Sequence, residues 1–209
     1  MKDLFERYRS QIPEVSDQEQ SAYEKYFEIL ESWNQRMALV SKKTIGLSFA
    51  NHFVDSLFIS DFAKQFYQKG EVVDLGSGAG FPGLVFAIRN PDLPIKLYEK
   101  LLKKQTFLNA ALQGLSIQNV KLEGAMPERP HEGVVLARAV MPPAELFPFL
   151  KKRMAANSFL IVNIGSQTPE PEAPEGFQKV GETSYLLPLD CGQRRAICYQ
   201  VVPRETKTK

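Results

Sequence analysis

The order of apolar and polar positions changes character near residue 70. Before it, apolar side chains recur at spacings of three and four. Between Asp17 and Leu39 the positions Tyr23, Tyr26, Phe27, Leu30, Trp33, Met37 and Ala38 form one helix face, with Ser16 or Asp17 suited to its N-cap. A second amphipathic stretch runs from Phe49 to Phe66, with Phe53, Leu57, Phe58, Phe62 and Phe66 on one side and Gly70 as its stop. The first 68 residues therefore read as helical. From Glu71 onward, short apolar runs alternate with helical periods. Strands are predicted at Val72–Leu75, Ile95–Tyr98, Val120–Leu122, Val134–Leu136 and Phe159–Asn163, with helices at Lys103–Gln113 and Pro143–Met154. Such alternation indicates crossover units around a buried parallel sheet. Thr168–Gly176 holds four Pro or Gly in nine residues and reads as a surface loop. Ser184–Leu189 and Arg195–Val202 follow as strands, turned by Asp190, Cys191 and Gly192 into an antiparallel hairpin at the sheet edge. The expected organisation is a helical cap over residues 1–69 and an α/β domain over residues 70–209.

Composition narrows the class. The chain has 209 residues, 44% hydrophobic and 24% charged, enough to bury a core in one domain with an extension or in two small ones. A net charge of +2 is too weak to announce nucleic acid. Basic residues do cluster, at Lys100, Lys103 and Lys104, at Lys151, Lys152 and Arg153, at Arg194 and Arg195, and in the tail from Arg204 to Lys209. Basic clusters are usually solvated faces. Two cysteines and two histidines make neither a disulfide framework nor a four-ligand zinc site, so no metal is expected. Met1–Gln11 lacks the apolar core of a signal peptide, and no apolar run approaches the roughly 18 residues of a membrane span. The expectation is a cytoplasmic protein, monomeric and outside the membrane.

The most informative stretch runs from Val72 to Gly83: Val-Val-Asp-Leu-Gly-Ser-Gly-Ala-Gly-Phe-Pro-Gly. Gly76, Gly78 and Gly80 admit torsions closed to other residues and let a ligand approach the backbone. Pro82 suits the first turn of the helix that follows. The loop thus sits at the carboxyl end of a parallel strand, where open α/β sheets bind ligands. Gly78, Gly80 and Gly83 also satisfy the dinucleotide fingerprint, so glycines alone do not choose a cofactor. Asp74 favours S-adenosylmethionine, because a carboxylate can meet the cationic amino group of its methionine part and is unfavourable beside an anionic pyrophosphate. Glu99, at the end of the second strand, can accept both ribose hydroxyls of either cofactor. Each carboxylate can equally cap a neighbouring helix.

On these and further motifs the chain resembles the bacterial 16S ribosomal RNA guanine-N7 methyltransferases, first named glucose-inhibited division protein B. The resemblance runs from about Tyr23 to about Gly165. It rests on Trp33-Asn34, on His52-Phe53-Val54-Asp55-Ser56-Leu57, on the loop Asp74–Gly83, on Lys103-Lys104 with Phe107-Leu108, and on Arg138-Ala139. It implies a class I S-adenosylmethionine-dependent methyltransferase fold, Rossmann-like, with a mostly parallel seven-stranded sheet, an antiparallel C-terminal hairpin and an N-terminal helical cap. It implies Gly76 and Phe81 as cofactor contacts, Ala125 and Met126 along the adenine, and Arg138 near the methyl donor, with Asn34, His52 and Asp55 facing the cleft from the cap. The chain departs from the family pattern at Ala38, at Ser41, at Ala125-Met126-Pro127, near Gly133, and at Ile164-Gly165 after Asn163.

The implied partner is 16S ribosomal RNA or the small ribosomal subunit. Guanine N7 carries a free lone pair and loses no proton on methylation, so alignment does most of the work. The product ring is cationic, and nearby acceptors can stabilise the developing charge. Lys103, Lys104 and the tail from Arg204 are candidates for RNA phosphate. Arg138 can serve phosphate, a guanine edge, the cofactor carboxylate or a structural ion pair. Asn34, His52 and Asp55 can equally brace the cap, Trp33 reads as core, and Phe81 packs by the ligand or in the core. Three alternatives stay open: another RNA target, a cofactor-binding RNA or regulatory protein without turnover, and, least favoured by Asp74, a dinucleotide-dependent oxidoreductase.

Overall fold

The computed structural model describes residues 1–41 and 45–203, so the basic tail from Arg204 lies outside the described residues. The chain opens with α1 (Lys2–Arg7), a short 3-10 turn (Arg9–Gln11) and α2 (Asp17–Asn34). Ser16 caps α2 through a capping box: its hydroxyl accepts from the Glu19 N–H, and the Glu19 carboxylate accepts from the Ser16 N–H. α2 ends at Asn34, five residues before the predicted Leu39. The Asn34 side-chain oxygen accepts from the N–H groups of Leu39 and Val40, at 2.9 and 3.1 Å, and so stabilises a non-helical turn. Met37 and Ala38 accordingly leave the helix face, and Ala38 is exposed.

The second amphipathic stretch is composite. α3 (Ile45–Ser48) leads into a π-helical segment (Phe49–Val54) and then α4 (Asp55–Lys64). The Asp55 N–H reaches the Ala50 carbonyl, five residues back. Such segments often mark functional positions, and this one carries Asn51 and His52 and leads directly into Asp55.

Seven strands follow: β1 (Glu71–Leu75), β2 (Ile95–Tyr98), β3 (Val120–Glu123), β4 (Gly133–Arg138), β5 (Phe159–Gly165), β6 (Phe177–Leu187) and β7 (Gly192–Val201). They form one sheet in the order β3-β2-β1-β4-β5-β7-β6. The first five strands pair in parallel, and β7 joins antiparallel to both β5 and β6. α5 (Gly83–Arg89), α6 (Leu102–Gly114) and α7 (Pro143–Lys151) make the crossovers. This is the seven-stranded fold that the resemblance implied. Among the boundaries that differ from expectation, three bear on the architecture. Pro82 stands at the N-cap of α5, one residue before its first turn. α7 stops at Lys151 because Met154 leaves to form a parallel bridge with His131. β6 begins at Phe177, seven residues before the predicted start, on a polar edge.

Alternation along the strands divides the interior. Val72, Ile95, Leu97, Val134, Leu136 and Ile161 face one core, shared with Tyr23, Phe27, Phe53, Leu57, Leu84 and Phe107 from the helices. Val73, Leu75, Val135, Ala137, Leu160 and Val162 face the other, beneath Leu146, Phe147 and Leu150 of α7. Burying each Val, Leu, Ile or Phe among them contributes roughly 1.5–3 kcal/mol. The topology sets the site: β1 sends one crossover outward to β2, and β4 returns on its other side. The crevice outside the carboxyl ends of β1 and β4 is the switch point of the sheet.

Candidate functional site

The glycine loop leaves β1 into this crevice. Gly76 has φ +74° and Gly80 φ +86°, left-handed torsions that favour glycine. At Gly83 a side chain would collide with the Asp74 carboxyl group and Leu97, so α5 can start there only on glycine. The Gly83 N–H donates to Asp74 Oδ2 at 3.0 Å, which makes Asp74 a cap for α5. Its other oxygen, Oδ1, is buried with no hydrogen-bond partner. Burial raises the Asp74 carboxyl to a pKa of about 6, against the lowering pull of the Ser77 hydroxyl, whose hydrogen bond goes to the Asp74 backbone carbonyl, and then of the Gly83 N–H and Arg138. A buried acceptor without a donor costs free energy and invites one.

Glu99 closes the loop from β2. Its Oε2 accepts from the Gly78 N–H at 2.9 Å, and its Oε1 from the Leu101 N–H at 2.8 Å. One carboxylate thus joins the loop to the start of α6. Beside it lies a cavity of about 370 Å³, lined among others by Gly76, Glu99, Ala125, Met126, Lys100 and Lys104. That volume lies in the range of small-molecule sites. Asp74, Gly78, Gly80, Phe81 and Arg138 are not among its lining residues: Asp74 lies in β1, Gly78, Gly80 and Phe81 in the loop, and Arg138 at the end of β4. Ala139, directly after Arg138, has φ +53° and turns the chain so that Val140 and Met141 join the cavity wall.

At the cap end, Phe81 is buried between aromatic neighbours. It stacks on Tyr26 and on His52, each with ring centroids 5.2 Å away, and meets Phe53 edge-on at 5.0 Å. The Arg138 guanidinium lies 5.6 Å from the centre of the same ring. The Tyr26 hydroxyl donates to the Ala79 carbonyl, tying α2 to the loop. Arg138 Nη1 donates to Asp55 Oδ2 at 3.0 Å and to the Asn51 carbonyl at 3.1 Å. Asp55 Oδ1 accepts from the Tyr185 hydroxyl at 2.8 Å, and Tyr185 in turn accepts from Asn163 Nδ2 at 2.7 Å. Burial, then the Asp55 charge, pushes the Tyr185 hydroxyl far above its usual pKa and keeps it a donor.

The structure therefore brings His52, Asp55, Phe81 and Arg138 together at one end of the loop, and Gly76, Glu99, Ala125 and Met126 around the cavity at the other. Asn34 braces the turn after α2 through its side chain. Trp33 packs on Phe107, with centroids 6.0 Å apart. The sequence marks Tyr26 only as part of a helix face and Asn163 only beside a departure from the family pattern, and it does not mark Asn51 or Tyr185. No local signal marks Tyr185, which meets Asp55 across 130 positions of chain.

Comparison with known proteins agrees with this architecture. The sequence model of the family described as rRNA small subunit methyltransferase G matches residues 19–180. The Ribosomal RNA small subunit methyltransferase G of Halorhodospira halophila is 32% identical over 178 residues, 83% of either chain. Its namesake from Staphylococcus saprophyticus is 29% identical over 204 residues, covering 88% of this chain and 82% of the relative. Among solved structures, a Klebsiella pneumoniae chain assigned as an O-methyltransferase superposes with a TM-score of 0.59 at 13% identity, over 97% of both chains. A mutant of MtNAS in complex with S-adenosylmethionine gives a TM-score of 0.59 at 15% identity, over 87% of this chain and 72% of that one. At such identities the structural likeness speaks for the fold alone.

Proposed function

The chain belongs to the rRNA small subunit methyltransferase G family, and on that premise we propose that it methylates N7 of a guanine in 16S ribosomal RNA. It is an enzyme of small-subunit ribosomal RNA that uses S-adenosylmethionine as methyl donor. In this proposal the base is guanine and the atom is N7. The residue roles belong to the same proposal, as do action in the cytoplasm as a monomer and the division into a cap over 1–69 and a methyltransferase domain over 70–209. Among the described residues no helix is long and apolar enough to cross a membrane.

The observation that supports the reading best is the pair of carboxylates on the glycine loop. Asp74 Oδ1 has no donor and suits an ammonium group. Glu99 stands at the cavity wall and suits a ribose diol, with Gly76 at the bend and Ala125 and Met126 along an adenine. Held there, S-adenosylmethionine supplies an electrophilic methyl group on a sulfonium. The protein's task is then alignment. Phe81, fixed by Tyr26, Phe53 and His52, and Arg138, fixed by Asp55, make a rigid wall at the cap end. A guanine edge or its phosphate can meet Arg138 there. No general base is required, because N7 carries no proton, and positioning can lower the barrier by about 7–11 kcal/mol in well-oriented systems. Asn34 acts at second hand in this scheme, by holding the turn that follows α2.

Transfer of labelled methyl to small ribosomal subunits from cells lacking the protein tests the reading. Label on a guanine N7 of 16S RNA is expected. Label confined to another RNA, or none with the cofactor bound, overturns it.

A further inference from the structure

We propose that the rim segment Lys100–Lys104 is a docking ridge for ribosomal RNA, its lysines holding phosphates while Leu101 and Leu102 lie against an unstacked base. The proposal rests on the reading of the site as a methyltransferase of ribosomal RNA.

Four large apolar side chains are exposed among the described residues, and two of them are neighbours here: Leu101 at 58% and Leu102 at 76%. Lys100 and Lys103 flank the pair, and both are exposed. Lys100 and Lys104 line the cavity, so the leucines and Lys103 run along its rim. The other basic clusters of the described residues are differently placed. Lys151, Lys152 and Arg153 pair with Glu175 and Glu128, Arg195 pairs with Glu170 and Glu182, and Arg194 bonds to Asn51. Lys100, Lys103 and Lys104 have no ion pair among the described residues. Three uncompensated cations around an apolar pair suit a ligand with phosphates and exposed ring faces.

The ridge is held to the cofactor's side of the cleft. Glu99 Oε1 accepts from the Leu101 N–H, and Gln105 Nε2 donates to the Glu99 carbonyl at 2.6 Å. The N-terminus of α6, a helix of 13 residues, adds its positive end at the same place. The chemistry of the target asks for such a surface. In A-form RNA the N7 edge faces a deep, narrow groove that side chains do not enter. The guanine must therefore be unstacked, and apolar wedges commonly support a neighbouring base that has lost its partner.

The test uses the whole chain with Leu102→Ser and, separately, Lys103→Gln, neither of which lines the cavity. Dissociation constants are measured for unmodified small ribosomal subunits and for 16S RNA extracted from them, over a range of salt. S-adenosylhomocysteine affinity serves as the check on folding and cofactor binding. Leu102→Ser is expected to weaken RNA binding about five- to tenfold at every salt concentration, as loss of a partly buried leucine contact implies. Lys103→Gln is expected to reduce the slope of log affinity against log salt by about 0.7, one phosphate contact on a single strand. S-adenosylhomocysteine affinity should stay within about twofold in both, since neither side chain touches the cavity. Unchanged RNA affinity in both variants, with the wild type methylating normally, overturns the ridge and leaves the function standing. Sedimentation of wild type and Leu102→Ser runs alongside: a wild type that self-associates through these leucines, with RNA affinity unchanged in the variant, assigns them to a protein interface and also overturns the ridge. A wild type that binds and methylates neither RNA removes the function reading and the ridge together.

Discussion

Replacing Asp55 by alanine strands the Arg138 guanidinium. Arg138 is 18% exposed and Asp55 4%, so the pair is largely out of water. After the substitution Arg138 keeps one protein acceptor, the Asn51 carbonyl, and the Tyr185 hydroxyl loses the carboxylate it donates to. Removing one partner of a buried ion pair costs about 3–5 kcal/mol. The residual exposure of Arg138 admits water, so the low end, about 3 kcal/mol, applies. In a chain of this size each kcal/mol lowers Tm by about 2–4 °C, which gives a fall of about 6–12 °C. The assay is urea and thermal unfolding of Asp55→Ala, Arg138→Gln and the double variant, with Tyr185→Phe alongside. The double variant should recover about 1–3 kcal/mol relative to the sum of the singles. Tyr185→Phe, which leaves the ion pair intact, should cost about 1 kcal/mol. A loss below about 1 kcal/mol for Asp55→Ala, or strict additivity in the cycle, would refute the idea that this network joins the cap to the sheet.

Two further predictions concern the carboxyl ends of β1 and β4. Burial holds the neutral form of Asp74 in the folded protein up to a pKa of about 6. A raised carboxyl pKa favours the folded state below the unfolded value near 3.9, and that contribution is lost as pH rises to about 6. A cationic amino group on the ligand selects the ionised form, so S-adenosylhomocysteine should bind up to about tenfold tighter at pH 7 than at pH 5. Calorimetry on Asp74→Asn should show that dependence flattened, and an unchanged profile removes Asp74 from the amino group. Ala139, held at φ +53°, bears a left-handed strain of about 1–2 kcal/mol that glycine relieves, less the extra freedom glycine has when unfolded. Ala139→Gly should raise stability by about 0.5–1 kcal/mol in urea unfolding, and a destabilised variant contradicts the strain.

The parallel sheet was legible because its strands are short apolar runs between helical periods, as at Val134–Leu136. The edge was less so. Gln178, Lys179, Glu182 and Thr183 fall between the predicted loop and the predicted strand, yet they pair with β7, and a register shift lies between Lys179 and Gly181. Pairing that depends on a distant strand leaves little local trace. Periodicity also carried the second helix past its end, because spacing alone does not reveal that the Asn34 side chain will take the Leu39 and Val40 N–H groups. In the site, the glycines and both carboxylates were readable from type and spacing. Sequence left two roles open for each carboxylate, and the structure shows the capping role directly: Asp74 caps α5, and Glu99 holds the start of α6. Each keeps a feature suited to a ligand, an oxygen without a donor in one case and a place at the cavity wall in the other. Tyr185 and Asn163 were beyond reach, since only the folded sheet brings β6 and β5 to α4.

Diffraction from crystals grown with S-adenosylhomocysteine shows directly, without any enzyme assay, whether the glycine loop and its two carboxylates hold the cofactor. An adenine is expected beside Ala125 and Met126, ribose hydroxyls on Glu99, and the amino group within hydrogen-bond reach of Asp74 Oδ1. Ligand density elsewhere, or an amino group turned away from Asp74, would contradict that placement.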